Sequence, residues 1–113
     1  MLSEAKKALR VTSPMYDTEI ASLLMAGASD LELAGVILPG TVTFAIGTDD
    51  AVTDLSTLND PLSMRAVITY AAARFGNPPN YTDLKASYDE QKAQLMHASA
   101  YTNYGEVDPD AES

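Results

Sequence analysis

One short segment limits the folds open to this chain more than any other. Residues 60–76 read DPLSMRAVITYAAARFG, in which Asp60 and Pro61 are start signals for a helix and Gly76 is a stop signal. At about 100° per residue, the apolar side chains fall on two opposite sides of this helix. One side carries Met64, Val67, Ile68, Ala71 and Phe75, and the other carries Leu62, Ala66, Tyr70 and Ala73. A helix that is apolar on both sides is normally buried between two layers, so the segment predicts a core helix.

The second of those layers can be another helix of the chain or a second copy of the protein. Arg65 and Arg74 lie between the two apolar sides, roughly opposite each other. Each arginine can extend from a core helix to water, or it can form a bidentate pair with a carboxylate across a subunit boundary. The candidates for a subunit interface on this helix are Arg65, Tyr70, Ala73 and Arg74.

Two helices are predicted before this segment. The first is short and begins with Ser3 as its cap. The second runs from about Asp17 to Ala34, and Gly35 follows where a left-handed terminator belongs. Its apolar residues follow helical spacing and form one broad face, made of Ile20, Leu23, Leu24, Gly27, Ala28, Leu31 and Ala34.

A last helix is predicted from near Thr82 to about Tyr104. Its core residues recur at spacings of four and three along a narrow seam, made of Leu84, Tyr88, Gln91, Leu95, Ala98 and Thr102. On the reverse side, Ala86, Ala93 and Ala100 recur every seventh residue. Small residues so placed let another helix come close, so these alanines are further candidates for a subunit interface.

Residues 36–59 have a different character. The segment TVTFAI alternates and places Val42, Phe44 and Ile46 on one face, GTDD supplies a turn, and AVTDL can return as a second strand. A lone hairpin is marginal in water, so this one has to pack on the helices or on a partner; a mobile loop is the alternative. The chain is therefore predicted to be all-α in the main, a small bundle of about four helices with a long loop or β-hairpin between helices 2 and 3. Residues 1–105 form the helical domain, and residues 106–113 are an acidic, flexible tail.

Charge and composition narrow the classes of function. Seven basic and sixteen acidic residues give a formal net charge of −9, which disfavours simple binding to nucleic acid. The absence of cysteine excludes disulfides and thiolate metal sites. The N-terminal residues lack the apolar stretch of a signal peptide, and no apolar run approaches the length of a membrane span. We therefore expect a soluble protein that is made and used without export.

No constellation of residues indicates catalysis. His97 would need a positioned partner and a pocket to act as a general base, and the pattern indicates an exposed or interfacial histidine instead. Asp49, Asp50 and Asp54 could be imagined as ligands of a divalent cation, but they lack the spacing and central glycine of a calcium loop. The prediction is a protein without enzymatic activity and without a cofactor or metal.

Two blocks of sequence are specific when they are taken together. The first is the acidic start of the second helix, Asp17-x-Glu19-Ile20, and the second is the block from Asp60-Pro61-Leu62 through Arg65-Ala66 and Tyr70 to Phe75-Gly76. In their order and spacing, over residues 2 to about 98, they resemble phage head–tail connector proteins, the adaptors that attach below the portal of long-tailed phages.

This resemblance implies a structural role. It implies an all-helical adaptor that forms a ring of about a dozen copies beneath the portal, extends the DNA channel and offers a platform to the next neck, stopper or tail-completion protein. It places the protein in the virion at the head–tail junction, after synthesis in the bacterial cytoplasm. A net negative wall would let the genome pass without specific binding.

The resemblance also implies which regions meet which partner. The C-terminal region, about residues 98–113, grips the portal, with Tyr101, Tyr104 and Val107 as candidate contacts. The loop of residues 37–59 faces the channel or the next protein, with Phe44, Asp49, Asp50 and Asp54 as candidates.

Two other functions are compatible with the sequence. The chain can be an acidic helical regulatory module, of the DNA-mimic or anti-repressor type, if its carboxylates cluster on one face at phosphate-like spacing. An enzyme that uses carboxylates would rest on the aspartates of the GTDD turn and on Asp54 alone.

Overall fold

The computed structural model of the protein describes residues 1–76 and 78–98. Four helices and a two-stranded antiparallel sheet follow one another along the chain, and the hairpin lies between the second and third helices. The elements are α1 (Leu2–Leu9), a 3₁₀ turn (Pro14–Tyr16), α2 (Asp17–Leu33), β1 (Phe44–Ile46), β2 (Val52–Asp54), α3 (Pro61–Arg74) and α4 (Tyr81–His97). This confirms the predicted fold class.

Helix α3 is the centre of the fold, with neighbours on both of its apolar sides. It packs against α4 on one side and against α2 and α1 on the other. Tyr70 reaches α4, where its ring lies 5.3 Å from that of Tyr88, while Phe75 meets the ring of Tyr16 at 5.5 Å. The predicted core helix is confirmed at Ala66, Val67, Ala71 and Ala73, which are buried, and α4 of the same chain supplies its second layer. Leu62, which the wheel places on the second apolar side, is 54 % exposed, so the prediction is wrong for the first turn of the helix.

The sequence signals for the end of α2 and for both ends of α3 act as expected, whereas Asp17 is the first residue of α2 and not its cap, a position that Tyr16 takes. The Asp60 carboxylate accepts hydrogen bonds from the Ser63 amide at 3.0 Å and from the Ser63 hydroxyl at 2.9 Å, and Ser63 is fully buried. These bonds satisfy groups that a helix start leaves without partners. After the helices, Gly35 and Gly76 take left-handed backbone angles, with φ of 96° and 66°.

Two predicted helix ends are wrong. Helix α1 begins at Leu2, so Ser3 lies inside its first turn and is not its cap. Helix α4 ends at His97, because Ala98 takes an extended conformation, and so the helix stops well before Tyr104. Leu95 and Ala98 line the same cleft as Leu62, in the first turn of α3, so α4 ends level with the start of the helix against which it packs.

The segment between α2 and α3 is a hairpin. Phe44 is paired with Asp54 and Ile46 with Val52. The ladder continues below the strands, where the Leu55 amide donates to the Thr43 carbonyl oxygen and the Thr57 amide to that of Thr41, both at 2.9 Å. Phe44 is buried and anchors the hairpin in the core. Of the two alternatives for this segment, the hairpin is therefore correct.

The base of the hairpin depends on one glycine. A Cβ atom on Gly40 would lie 2.6 Å from the Cα atom of Leu58, 2.8 Å from its nitrogen and 2.9 Å from the carbonyl carbon of Thr57. Only glycine lets the two backbones approach this closely. Leu58, itself buried, is thereby fixed in the core just before α3 begins.

Candidate functional site

The candidate interface residues of α3 differ in what they leave exposed. Ala73 is only 2 % exposed, and Tyr70 packs against Gly27 of α2 as well as against Tyr88. Ala73 is therefore buried and Tyr70 partly buried inside a single chain, and neither needs a second copy to explain its apolar character. The Arg74 guanidinium lies over the Tyr70 ring at 3.7 Å from its centroid, a cation–π contact.

Two of the four candidates, Arg65 and Arg74, are exposed. Arg74 lies over the Tyr70 ring, whereas no such ring contact involves Arg65 among the described residues. The Arg65 side chain is exposed beside a small cleft between α3 and α4, lined by Leu62, Gln91 and Leu95 among others. Within the residues that the structure describes, neither Arg65 nor Arg74 forms a salt bridge with a carboxylate. The bidentate pair across a subunit boundary thus stays a prediction for Arg65.

The outer side of α4 is exposed as its spacing predicts. Ala86 and Ala93 are exposed, whereas Tyr88 and Leu95 on the inner side are buried. The Lys85 ammonium and the Asp89 carboxylate form an ion pair at 2.9 Å on the same outer surface. Ala100, the third alanine of the series, and the portal candidates Tyr101, Tyr104 and Val107 lie outside the described residues.

The four hairpin candidates occupy two different environments. Phe44 is 8 % exposed and belongs to the core, so its ring is not available to a channel or to another protein. Asp49 and Asp50 are exposed at the tip, where Asp49 accepts a hydrogen bond from the Ala51 amide at 3.1 Å. Asp54 is exposed too, but its carboxylate is engaged with the start of α1, so Asp49 and Asp50 are the candidates whose carboxylates are open to a partner.

Asp54 holds the hairpin to α1. Its Oδ2 atom accepts a hydrogen bond from the Leu2 amide at 2.8 Å and lies 2.9 Å from the amino group of Met1, while its Oδ1 atom accepts from the Ser56 amide at 3.0 Å. Partial burial of Asp54 works to raise its pKa, but the hydrogen bonds from Leu2, Ser56 and the amino group outweigh it and lower the pKa to about 2. Asp54 is thus an N-terminal cap for α1 that comes from a distant part of the chain.

We expect Asp54→Asn to destabilise the protein by about 1 kcal/mol at neutral pH, because one cap oxygen is replaced by an amide group that cannot accept. The folded pKa near 2 lies below the ordinary value, so the contribution of Asp54 is present above about pH 4 and is lost as the pH falls toward 2. Urea unfolding at pH 7 and at pH 3 measures both effects. Asp49→Asn at the exposed tip is the control, and an equal loss in both variants would contradict the capping role.

A polar cluster between α2 and α4 was not predicted. The Asp30 Oδ2 atom accepts hydrogen bonds from the Tyr88 hydroxyl at 2.5 Å and from the Lys92 ammonium at 3.0 Å. The bond from Tyr88 and the ammonium of Lys92 hold the pKa of Asp30 below its usual range. A signal existed in the sequence, since an acidic residue in the last turn of a helix is unfavourable unless a cation or donor compensates it.

The structure offers no support for a metal site among the aspartates. Across residues 1–76 and 78–98, no three His, Asp or Glu side chains converge in a way that could hold a metal ion. His97 is an exposed residue in the last turn of α4.

No helix in the described part of the chain combines the length and the apolar composition that crossing a membrane requires.

The fold and its surfaces define a small, mainly helical domain that carries a hairpin between its second and third helices. The chain belongs to the phage connector protein family, whose model matches residues 1–102. Neither the curated proteins nor the solved structures contain a match to it. Family membership confirms the resemblance to phage head–tail connectors and makes the chain a structural component of a phage particle that acts with other head or tail proteins.

Proposed function

We propose that this protein is the connector that forms a ring beneath the portal, extends the DNA channel and gives the neck, stopper or tail-completion protein its docking platform. The observation that carries the proposal is the family match, which covers residues 1–102 and so includes all the described elements. A ring of about a dozen copies would place the protein in the virion at the head–tail junction.

The exposed side chains support contacts with other proteins. Leu33 is 87 % exposed at the end of α2 and Met15 is 76 % exposed before it, although both are large and apolar. Arg65 and the exposed alanines Ala86 and Ala93 add to this surface. In an assembly, neighbouring subunits would bury these side chains. In this proposal residues 98–113 contact the portal, and the tip of the hairpin, Asp49 and Asp50, faces the channel or the next protein.

The charge of the chain suits a conduit for DNA. A net charge of −9 repels phosphate groups. Tight DNA binding depends on basic side chains that displace the counterions of the DNA, and this chain has few of them. The proposal is therefore that DNA passes through the ring without specific binding.

A regulatory module that imitates DNA is supported less well. Such a module needs exposed carboxylates in an array, but Asp17 is paired with Lys6, Asp30 with Lys92 and Asp54 with α1. These carboxylates serve contacts within the chain. Recovery of a basic nucleic-acid-binding host protein in a pull-down, without any portal binding, would favour the regulatory module.

Electron microscopy of the protein mixed with its portal tests the proposed function. The variant Ala93→Leu tests whether the alanine stripe of α4 is a contact surface in the assembly. The wild-type protein should add an annulus to the portal. Ala93→Leu should fold normally but assemble about tenfold more weakly or worse, because leucine fills the space that the alanine stripe leaves for a close neighbour. Native mass spectrometry gives the number of bound copies.

Ala8→Leu, at an exposed position on α1 that is assigned to no assembly contact, is the matched control and should assemble like the wild type. Absence of an annulus with the wild-type protein over a wide concentration range would contradict the proposed function. Normal assembly of Ala93→Leu would contradict only the assignment of this surface.

A further inference from the structure

An open groove runs along α1. It has a volume of about 830 Å³ and combines apolar side chains with a concentration of basic ones. Its lining residues are Leu2, Ser3, Lys6, Lys7, Arg10, Val11, Thr12 and Asp54. None of the contacts assigned above to assembly uses this groove.

The groove holds positive charge that the described chain does not neutralise. It contains three of the seven basic residues of a chain whose net charge is −9. The Lys6 ammonium is paired with Asp17 at 2.6 Å. By contrast, Lys7 and Arg10 are exposed, and neither forms a salt bridge within residues 1–76 and 78–98. The groove therefore suits an acidic ligand that also carries small apolar groups.

The chain itself contains a segment of this chemistry. Residues 106–112 read EVDPDAE, in which carboxylates alternate with Val107, Pro109 and Ala111. In an extended backbone, alternate side chains point to opposite sides, so all four carboxylates share one side and the apolar residues share the other. Pro109 favours such a conformation, since it disfavours a helix at the residue before it.

The segment can bring carboxylates to both cations in more than one register. Lys7 lies in the last turn of α1, and Arg10 caps the end of that helix with left-handed backbone angles, φ 59° and ψ 42°. Both side chains line the groove together with Leu2 and Val11. Alternate residues of an extended segment are about 6.6 Å apart, so the four carboxylates place negative charge along about 20 Å of the groove.

The connection to the acidic segment is about as long as the distance that it has to cover. Ala98 and Leu62 line the same cleft, and Asp54, which lines the α1 groove, precedes Leu62 by eight residues. Asp54 and Leu62 are therefore less than about 28 Å apart, since Pro61 and Leu62 already belong to α3 and are not extended. The eight residues that follow Ala98, up to Glu106, span as much as about 27 Å when extended, which is enough to bring Glu106 near the Asp54 end of the groove.

We propose that residues 106–112 dock in the α1 groove of their own chain, with their carboxylates paired to Lys7 and Arg10 and their apolar side on Leu2 and Val11. This docking rests on the groove and on the charge pattern, and it does not require the proposed ring. If the same segment also contacts the portal, portal binding has to release it from α1.

Zero-length carbodiimide coupling of the full-length protein tests the docking, because it joins a lysine amine only to a carboxylate in contact with it. Mass spectrometry should find Lys7 joined to Glu106, Asp108 or Asp110. Lys85, which is exposed and paired with Asp89, is the reference and should be joined to Asp89 and not to the acidic segment. Labelling of Lys7 and Lys85 by the segment in equal yield would overturn the proposal.

Two variants separate specific docking from loose attraction. Arg10→Glu should lower the yield of the Lys7 product at least about fivefold, as should 0.5 M salt, because both remove charge attraction. Val107→Ser with Ala111→Ser should also lower it, since these changes remove the apolar side and leave every carboxylate in place. Circular dichroism and urea unfolding confirm that each variant is folded. An unchanged yield in the folded variants would overturn the proposal.

An equal mixture of ¹⁵N-labelled and unlabelled protein identifies which chain supplies the segment. Products within one isotopic chain are expected, and products that join the two isotopic forms would overturn docking in the same chain. A short DNA duplex added in equal amount should leave the yield unchanged. Loss of the Lys7 product on addition of DNA would assign the groove to phosphates and overturn the assignment to the acidic segment.

Discussion

Replacing Ala73 by glutamate is expected to unfold the protein, not merely to prevent its assembly. Ala73 is 2 % exposed where the end of α3 meets the start of α4 near Tyr81. A carboxylate placed there loses most of its hydration, and the neighbouring Arg74 guanidinium is held over the Tyr70 ring, 3.7 Å from its centroid. An unpaired buried charge costs several kcal/mol, a large part of the roughly 5–15 kcal/mol that stabilises a domain.

The measurement is urea unfolding followed by circular dichroism, with Ala86→Glu as the control. Ala86 is an exposed alanine of α4, so the same change there should alter the free energy of unfolding by less than about 0.5 kcal/mol. Assembly with the portal is then tested on the control alone, since it is the folded variant. A folded Ala73→Glu protein with the stability of the wild type would mean that the α3–α4 contact opens in solution.

The sequence predicts the central helix because periodicity reports which sides of a helix are apolar. It does not report what covers them, and for that reason the second layer could be α4 or another copy. In the structure, Tyr70 packs against Gly27 of α2 and against Tyr88 of α4, so α4 of the same chain is the second layer. A Cβ atom on Gly27 would lie 3.0 Å from the Tyr70 ring. A glycine inside a helix was the sequence signal for this close approach.

The hairpin shows a different limit of sequence patterns. Alternation correctly places Val42, Phe44 and Ile46 on one side of the strand. It does not show which of these three residues the helices cover. Phe44 lies over the core and is buried, whereas Ile46, two residues nearer the tip, is 42 % exposed. Alternation gives the side of a strand, and only the neighbouring elements determine the depth.

The roles of the carboxylates were the hardest to predict, because each depends on a distant residue. Asp54 looks like one acidic residue of a loop, yet it caps a helix 52 positions earlier in the chain. Asp60, whose cap is local, was predicted correctly from its position before Pro61. Local signals such as caps and stops are readable from the sequence, whereas long-range pairs need the fold.

Replacing Asp30 by alanine is expected to be the most destabilising change among the polar residues. Asp30 is the shared acceptor for the Tyr88 hydroxyl and the Lys92 ammonium, and Tyr88 is only 3 % exposed. Without the carboxylate, the phenol keeps its burial and loses its acceptor, which costs about 2–3 kcal/mol. Tyr88→Phe should cost less, about 1 kcal/mol, because Asp30 then still binds Lys92 and can be hydrated.

A double-mutant cycle with these two changes isolates their interaction, for which we expect a coupling of about 1–2 kcal/mol in urea unfolding at pH 7. Asp89→Ala, which breaks only the exposed pair with Lys85, is the control and should change stability by less than about 0.5 kcal/mol. Purely additive effects of Asp30→Ala and Tyr88→Phe would contradict the shared hydrogen bond.

The same cluster should make stability fall at both ends of the pH range. The pKa of Asp30 is lowered by the Tyr88 hydrogen bond, so its contribution is present above about pH 4 and is lost in more acidic solution. Burial, and then the bond to Asp30, raises the pKa of Tyr88, so its contribution is present below about pH 10 and is lost as the pH rises further. Tyr88→Phe has no phenol to ionise, and we therefore expect its alkaline loss of stability to be smaller than that of the wild type. An unchanged alkaline profile in Tyr88→Phe would show that another group, and not this cluster, opens the α2–α4 contact.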